Sequence, residues 1–137
     1  MYWFQQDAAT LVRGKITQFL GDQGSRVHEI MPPKWTPRDG PIITVARDGP
    51  QSSQYPTNLE LVRITARSGV LNVSQKIMTE IDAFLTTPGL HLLGFSVSKT
   101  LGTPLIAGPD SKIGGYYASR VFAIGTTRKA RKNGTNS

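Results

Sequence analysis

Cysteine is missing from this chain of 137 residues. That absence excludes a disulfide framework, a zinc–thiolate centre and a thiol nucleophile together. Histidine is scarce. His28 and His91 are the two present, and neither has a second histidine or a carboxylate at metal-ligand spacing. Glu29 follows His28, but on a strand adjacent residues face opposite ways. Long apolar runs are also lacking: no segment approaches the roughly 20 residues that a bilayer span requires. Met1-Tyr2-Trp3-Phe4-Gln5-Gln6 has no basic n-region, which argues against a signal peptide. Without export, Asn72-Val73-Ser74 and Asn133-Gly134-Thr135 read as chance glycosylation sequons. Acids number nine. Most fall in expected turns or caps, and none forms a pattern suggesting paired-carboxylate chemistry.

What is present is basic. Sixteen Lys and Arg against nine Asp and Glu give a formal charge of +7. Arg128, Lys129, Arg131 and Lys132 lie in the last ten residues, where there is no acid. Without those four the balance is 12 against 9, or +3. A mildly basic body over 1–127 and a strongly basic tail over 128–137 follow. The body fits one domain, which buries roughly two-thirds of its unfolded surface and needs no metal or crosslink to fold. The tail has Ala130 as its one apolar residue, so it is expected to be flexible.

Periodicity predicts a helix over 7–20, with Asp7 as N-cap and Ala8, Leu11, Val12, Lys15, Ile16, Phe19 and Leu20 on one stripe, only the Lys15 stem being off-type. Tyr2, Trp3 and Phe4 make an apolar cluster before it. Val27–Met31 is a short strand candidate. Arg38-Asp39-Gly40-Pro41 recurs as Arg47-Asp48-Gly49-Pro50, and these two turns bracket a strand over 42–46. A polar loop over 51–58 leads to a strand over 59–66. There Val62, Ile64 and Ala66 share one face and Arg63 and Thr65 the other, as in a sheet covered on one side. A second helix, over 70–85, carries Val70, Val73, Ile77, Ile81, Phe84 and Leu85 and stops at Pro88-Gly89. Strands over 92–98 and 117–126 complete the set. This order predicts an α+β fold: a mostly antiparallel sheet of four to five strands, two helices on one face, and a long loop between the last two strands.

Catalytic motifs do not survive inspection. Gly94-Phe95-Ser96-Val97-Ser98 lacks the third glycine and the following helix of a nucleophile elbow. Gly108-Pro109-Asp110-Ser111-Lys112-Ile113-Gly114-Gly115 places its lysine before the glycines and a strand after them, unlike a phosphate loop. No enzyme activity and no cofactor are expected. The excursion over 99–116, with four glycines and two prolines, exceeds the length of ordinary connections. Its Leu101, Leu105, Ile106 and Ile113, with Tyr116 at its end, need shelter. An adjacent copy of the chain is the expected place, and the alternative is the chain's own core.

Taken together, the opening helix, Gly40-Pro41-Ile42-Ile43-Thr44-Val45-Ala46-Arg47-Asp48-Gly49, Leu61-Val62-Arg63-Ile64-Thr65-Ala66-Arg67-Ser68-Gly69, the helix end Ile81-Asp82-Ala83-Phe84-Leu85, Gly108-Pro109-Asp110 and Arg120-Val121-Phe122-Ala123-Ile124 form a recognisable pattern. Over roughly residues 7–127 the chain resembles tail terminator proteins of long-tailed bacteriophages, the minor tail or head–tail joining proteins of the lambda terminator type. The resemblance implies a virion protein made in the host cytoplasm. It forms a ring, usually of six copies, on the head-proximal end of the tail tube. The ring stops tube polymerisation and meets the head connector, and genomic DNA passes through its bore. A head-to-tail ring needs two different patches per subunit. The 99–116 excursion and the uncovered sheet face are the candidates. Arg47, Arg63, Arg67 and the tail cations Arg128, Lys129, Arg131 and Lys132 are candidates for contact with DNA or an acidic surface. If raised salt changes neither assembly nor DNA retention, that electrostatic role fails. Alternatives are another head–tail connector ring, or a small basic nucleic-acid-binding protein that grips phosphate with its tail.

Overall fold

In chain order the elements are β1 (Trp3–Gln5), α1 (Ala8–Leu20), a 3-10 segment (Gly21–Arg26), β2 (Val27–His28), a second 3-10 segment (Pro37–Asp39), β3 (Ile42–Arg47), β4 (Asn58–Ser68), α2 (Leu71–Leu85), β5 (Phe95–Gly102), β6 (Ile106–Pro109), β7 (Tyr116–Thr126) and β8 (Arg128–Ala130). The computed structural model describes residues 3–5, 8–48, 58–87, 95–126 and 128–130, and the side chains of all of these except 3–5, 58–59, 99–101, 126 and 128–130. Asp7, Pro88, Gly89, His91 and most of the 51–58 loop lie outside the described residues.

The fold is α+β, with an unclosed six-stranded sheet in the order β2-β3-β4-β7-β5, and β6 also on β7. Only the β2–β3 pair among these is parallel. The two eleven-residue strands β4 and β7 pair along their whole length, Asn58 to Thr126 through Ser68 to Tyr116. Directly opposite residues of an antiparallel pair share a face. One face therefore collects Ile43 and Val45 from β3, Val62, Ile64 and Ala66 from β4, and Ala118, Phe122 and Ile124 from β7. Both helices pack on it, contributing Ala8, Ala9, Val12, Ile16, Met78, Ile81 and Leu85 to one core.

The helix stripes are rotated from the sequence expectation. In α2 the buried line is Ser74, Met78, Ile81 and Leu85, spaced i, i+4, i+7, i+11. Val70 precedes the helix as its N-cap residue, and Val70 and Val73 are exposed. The reason is a buried polar node. Ser74 Oγ lies 2.6 Å from Ser68 Oγ and donates to the Tyr116 carbonyl at 3.1 Å. That pins the first turn of α2 to the ends of β4 and β7, and a buried hydroxyl is tolerated because it is hydrogen-bonded. In α1, Phe19 is exposed rather than buried, its ring stacked on Phe84 with centroids 4.3 Å apart.

The excursion over 99–116 is not one continuous loop: 99–102 belong to β5 and 106–109 form β6. β5 and β6 run in succession along the outer edge of β7. The alternation that would mark a strand is broken by a bulge. From Val97 to Gly102 the chain advances five residues while β7 advances two, from Ile124 to Phe122. Gly102, at φ +105°, sits where a Cβ would be 2.4 Å from the Val121 carbonyl oxygen, so only glycine fits. Thr103 then fastens the break to β7. Its N–H donates to Val121 O (2.9 Å), its Oγ1 accepts from Val121 N–H (3.0 Å), and its carbonyl accepts from Arg120 Nε (2.9 Å). A tight turn over 110–115 closes the β6–β7 hairpin. Of the segment read as tail, Arg128–Ala130 form β8, antiparallel to β1, while Arg131 and Lys132 lie outside the described residues.

Candidate functional site

Two features stand out: the β5–β6 edge and a cleft on the sheet face away from the helices. Along the edge, Leu105, Ile106, Ile113 and Tyr116 are between 37% and 48% exposed. The side chain of Leu101 is outside the described residues. Gly102 and Ile106–Pro109 pair with the chain's own β7, so the excursion is not an arm reaching outward; among its described side chains Leu105, Ile106 and Ile113 remain uncovered. Ile106 pairs with Ser119 and faces the cleft side, whereas Tyr116 pairs with Ser68 on the helix side. Val70 and Val73, at the start of α2, are also exposed, near the Ser74 that donates to the Tyr116 carbonyl. Sequence reading missed these two because helical periodicity alone does not fix the rotation of α2.

On the face opposite the helices stand Thr44 and Ala46 of β3, Arg63, Thr65 and Arg67 of β4, and Tyr117, Ser119, Val121 and Ala123 of β7. This face is not bare throughout: Val121 and Ala123 are buried. Near Arg63 and Arg67 it opens into a cleft of about 470 Å³, walled by Ile106, Lys112 and Tyr117 and floored by Thr65 and Ser119. The floor hydroxyls are buried and 2.9 Å apart, and Ser119 Oγ donates to Ile64 O at 3.2 Å. Arg63 donates to Asp48 through Nε at 2.8 Å and reaches Ser119 Oγ at 3.4 Å.

Asp110 organises the hairpin end of the cleft. Its Oδ1 accepts from the Lys112 and Ile113 N–H groups (3.0 and 3.1 Å), and its Oδ2 from Arg67 Nε (3.2 Å). The Ile113 N–H, then the Lys112 N–H and the Arg67 guanidinium, hold its carboxyl below the usual carboxylate range against the opposing effect of burial. Pro109-Asp110 preceding a Gly-Gly pair was the available turn signal. Nothing local announced that Asp110 would meet Arg67, 43 positions earlier.

Arg47 does not join Arg63 and Arg67. Its register partner is Val62, which puts it on the helix side, where its Nε is 3.7 Å from Glu60. The parity of β3 relative to β4 decides this, and that parity depends on register rather than on either strand's own sequence. Of the tail cations, Arg128 and Lys129 pair through their backbone with Gln5 and Phe4.

A second hollow, of about 490 Å³, lies at the other sheet edge beside Arg26, His28, Lys34 and Trp35. Arg26 and Trp35 are spent on structure there. Arg26 donates to Gln23, Asp39 O and Pro41 O, and Trp35 Nε1 donates to Gly40 O at 3.0 Å. These bonds tie down the proline-rich segment. Among the described residues no cluster of three or more His, Asp or Glu is placed to hold a metal ion, and no helix is long and apolar enough to cross a membrane.

No protein-family model matches this sequence, and no curated protein matches it.

Proposed function

We propose that the protein is a structural subunit of a phage virion, a tail terminator that closes into a ring, of six copies by the resemblance, at the head-proximal end of the tail tube. In this reading it does no chemistry. It ends tube growth, meets the head connector and leaves a bore for the genome. The observation that supports the reading is the exposure of apolar residues at and beside the β6 edge: Leu105 and Ile106, Ile113 in the hairpin turn and Tyr116 at the start of β7. The opposite edge is different in kind, a two-residue parallel strand. Two unlike edges suit a head-to-tail contact, which closes into a ring when the rotation allows.

Native mass measurement tests this. The expected result is a multiple of the chain mass, six-fold if the resemblance holds, that falls to single chains in Ile106→Asp without loss of folded structure. A single-chain mass for the wild type at micromolar concentration and above overturns the proposal. A neighbouring connector ring would share the mass, and capping of purified tail tubes separates the two. The nucleic-acid-binding alternative predicts instead a monomer or dimer whose DNA affinity disappears when Arg128–Lys132 is deleted.

A further inference from the structure

The cleft between β4 and the β6–β7 hairpin has an unfinished hydrogen-bond inventory. A guanidinium carries five N–H donors. Among the described residues Arg67 engages Asp110 through Nε alone, and its side chain is 23% exposed. Its two Nη groups are therefore free to act as a fork, and Asp110 fixes the angle at which they are presented. Arg63 stands two residues along the same face, held by an ion pair with Asp48 exposed enough to be exchanged at little cost. Lys112 adds a third cation, with no ion pair among the described residues, on the rim. Between them lie the hydroxyls of Thr65 and Ser119 and the apolar wall of Ile106 and Tyr117.

We propose that this cleft binds an acidic peptide segment of a protein partner, with one carboxylate taken end-on by the Arg67 Nη groups and a second near Arg63 or Lys112. Planar, bidentate pairing with carboxylate is what a guanidinium fork does best. Size and charge favour a peptide over nucleic acid. At about 470 Å³ the cleft has the dimensions of a small-ligand site and does not admit a duplex. Three cations offset by Asp48 and Asp110 leave a local charge near +1, which suits one or two carboxylates rather than a phosphate at every nucleotide. The cations of the site stand on the sheet face, although its Ile106 wall belongs to the same β6 edge as the proposed ring contact.

The test is a titration of the isotope-labelled full chain, followed through backbone amide and arginine Nε resonances. One arm uses the blocked tetrapeptide Glu-Val-Glu-Val, a second its Gln-Val-Gln-Val counterpart, and a third a short oligothymidylate. The expected result is saturable shifts at Arg67, Arg63, Lys112 and Ser119 with the acidic peptide and none with the glutamine peptide. Arg67→Gln should weaken acidic-peptide binding at least about tenfold, and Lys112→Ala should weaken it less. Acidic-peptide shifts confined to the C-terminal cations overturn the proposal, as do equal affinities for wild type and Arg67→Gln. Oligothymidylate that saturates the same resonances at lower concentration than the peptide overturns it in favour of a nucleic-acid site. If Arg67→Gln does not fold, the wild-type shifts and Lys112→Ala decide, and unchanged peptide affinity in Lys112→Ala then counts against it. A monomeric protein that passes this titration retains the cleft and loses the ring.

Discussion

Replacing Asp110 with alanine removes three acceptor contacts at once. The two to the Lys112 and Ile113 N–H groups act as a side-chain cap does on the first turn of a helix, a contribution of about 1 kcal/mol. The third leaves the part-buried Arg67 without its counter-ion, which costs about another 1 kcal/mol. The sum of about 2 kcal/mol corresponds, for a domain of this length, to a fall in Tm of roughly 6–8 °C. Asp110→Asn keeps an acceptor for the turn and loses the charge, so it should cost about half as much. The pH dependence provides a sharper check. Because the folded carboxyl titrates below its unfolded value, its stabilisation is complete above the unfolded pKa of about 3.9 and is lost as pH falls through the lower folded value. The stability difference between wild type and Asp110→Ala, measured by urea unfolding, should be constant near neutrality and shrink below about pH 4. A difference that is absent at pH 7, or that persists undiminished into acid, refutes the assignment of Asp110 as the clamp of the hairpin end.

Two glycines should respond oppositely to alanine. Gly14, exposed within α1 with nothing within 4 Å of a new Cβ, should gain about 1 kcal/mol by thermal unfolding. Gly115, at φ +73° with a new Cβ 2.5 Å from Ser68 O, should lose roughly 1–3 kcal/mol. Met78 of α2 is fully buried in the core cluster, and Met78→Ala should lose about 2–5 kcal/mol in denaturant titration.

The strands and helices with unbroken periodicity were readable from residues alone. Val62, Ile64 and Ala66 alternate with Arg63, Thr65 and Arg67 as the structure has them, and both helices fall within a residue of their expected limits. What failed to show depended on distant partners. Ser74 looks like a surface residue until Ser68 and Tyr116 are beside it. Arg47 appears to belong with Arg63 until the β3–β4 register is known. The run from Lys99 to Pro109 reads as a loop because its bulge and prolines destroy the alternation, although Gly102 and Ile106–Pro109 pair with β7 as sheet. The cleft was half legible: β4 supplied its arginines and the expected last strand carries Ser119, but Asp110 and Lys112 arrive through a hairpin whose existence the same broken pattern concealed.

The bulge ahead of Gly102 and the proline at 104 divide the outer border of the sheet into two short runs. Foreign backbone can zip onto only a few residues there before it meets a kink or a missing N–H donor. Stacking of copies into an amyloid-like fibre is thus obstructed by the strand itself.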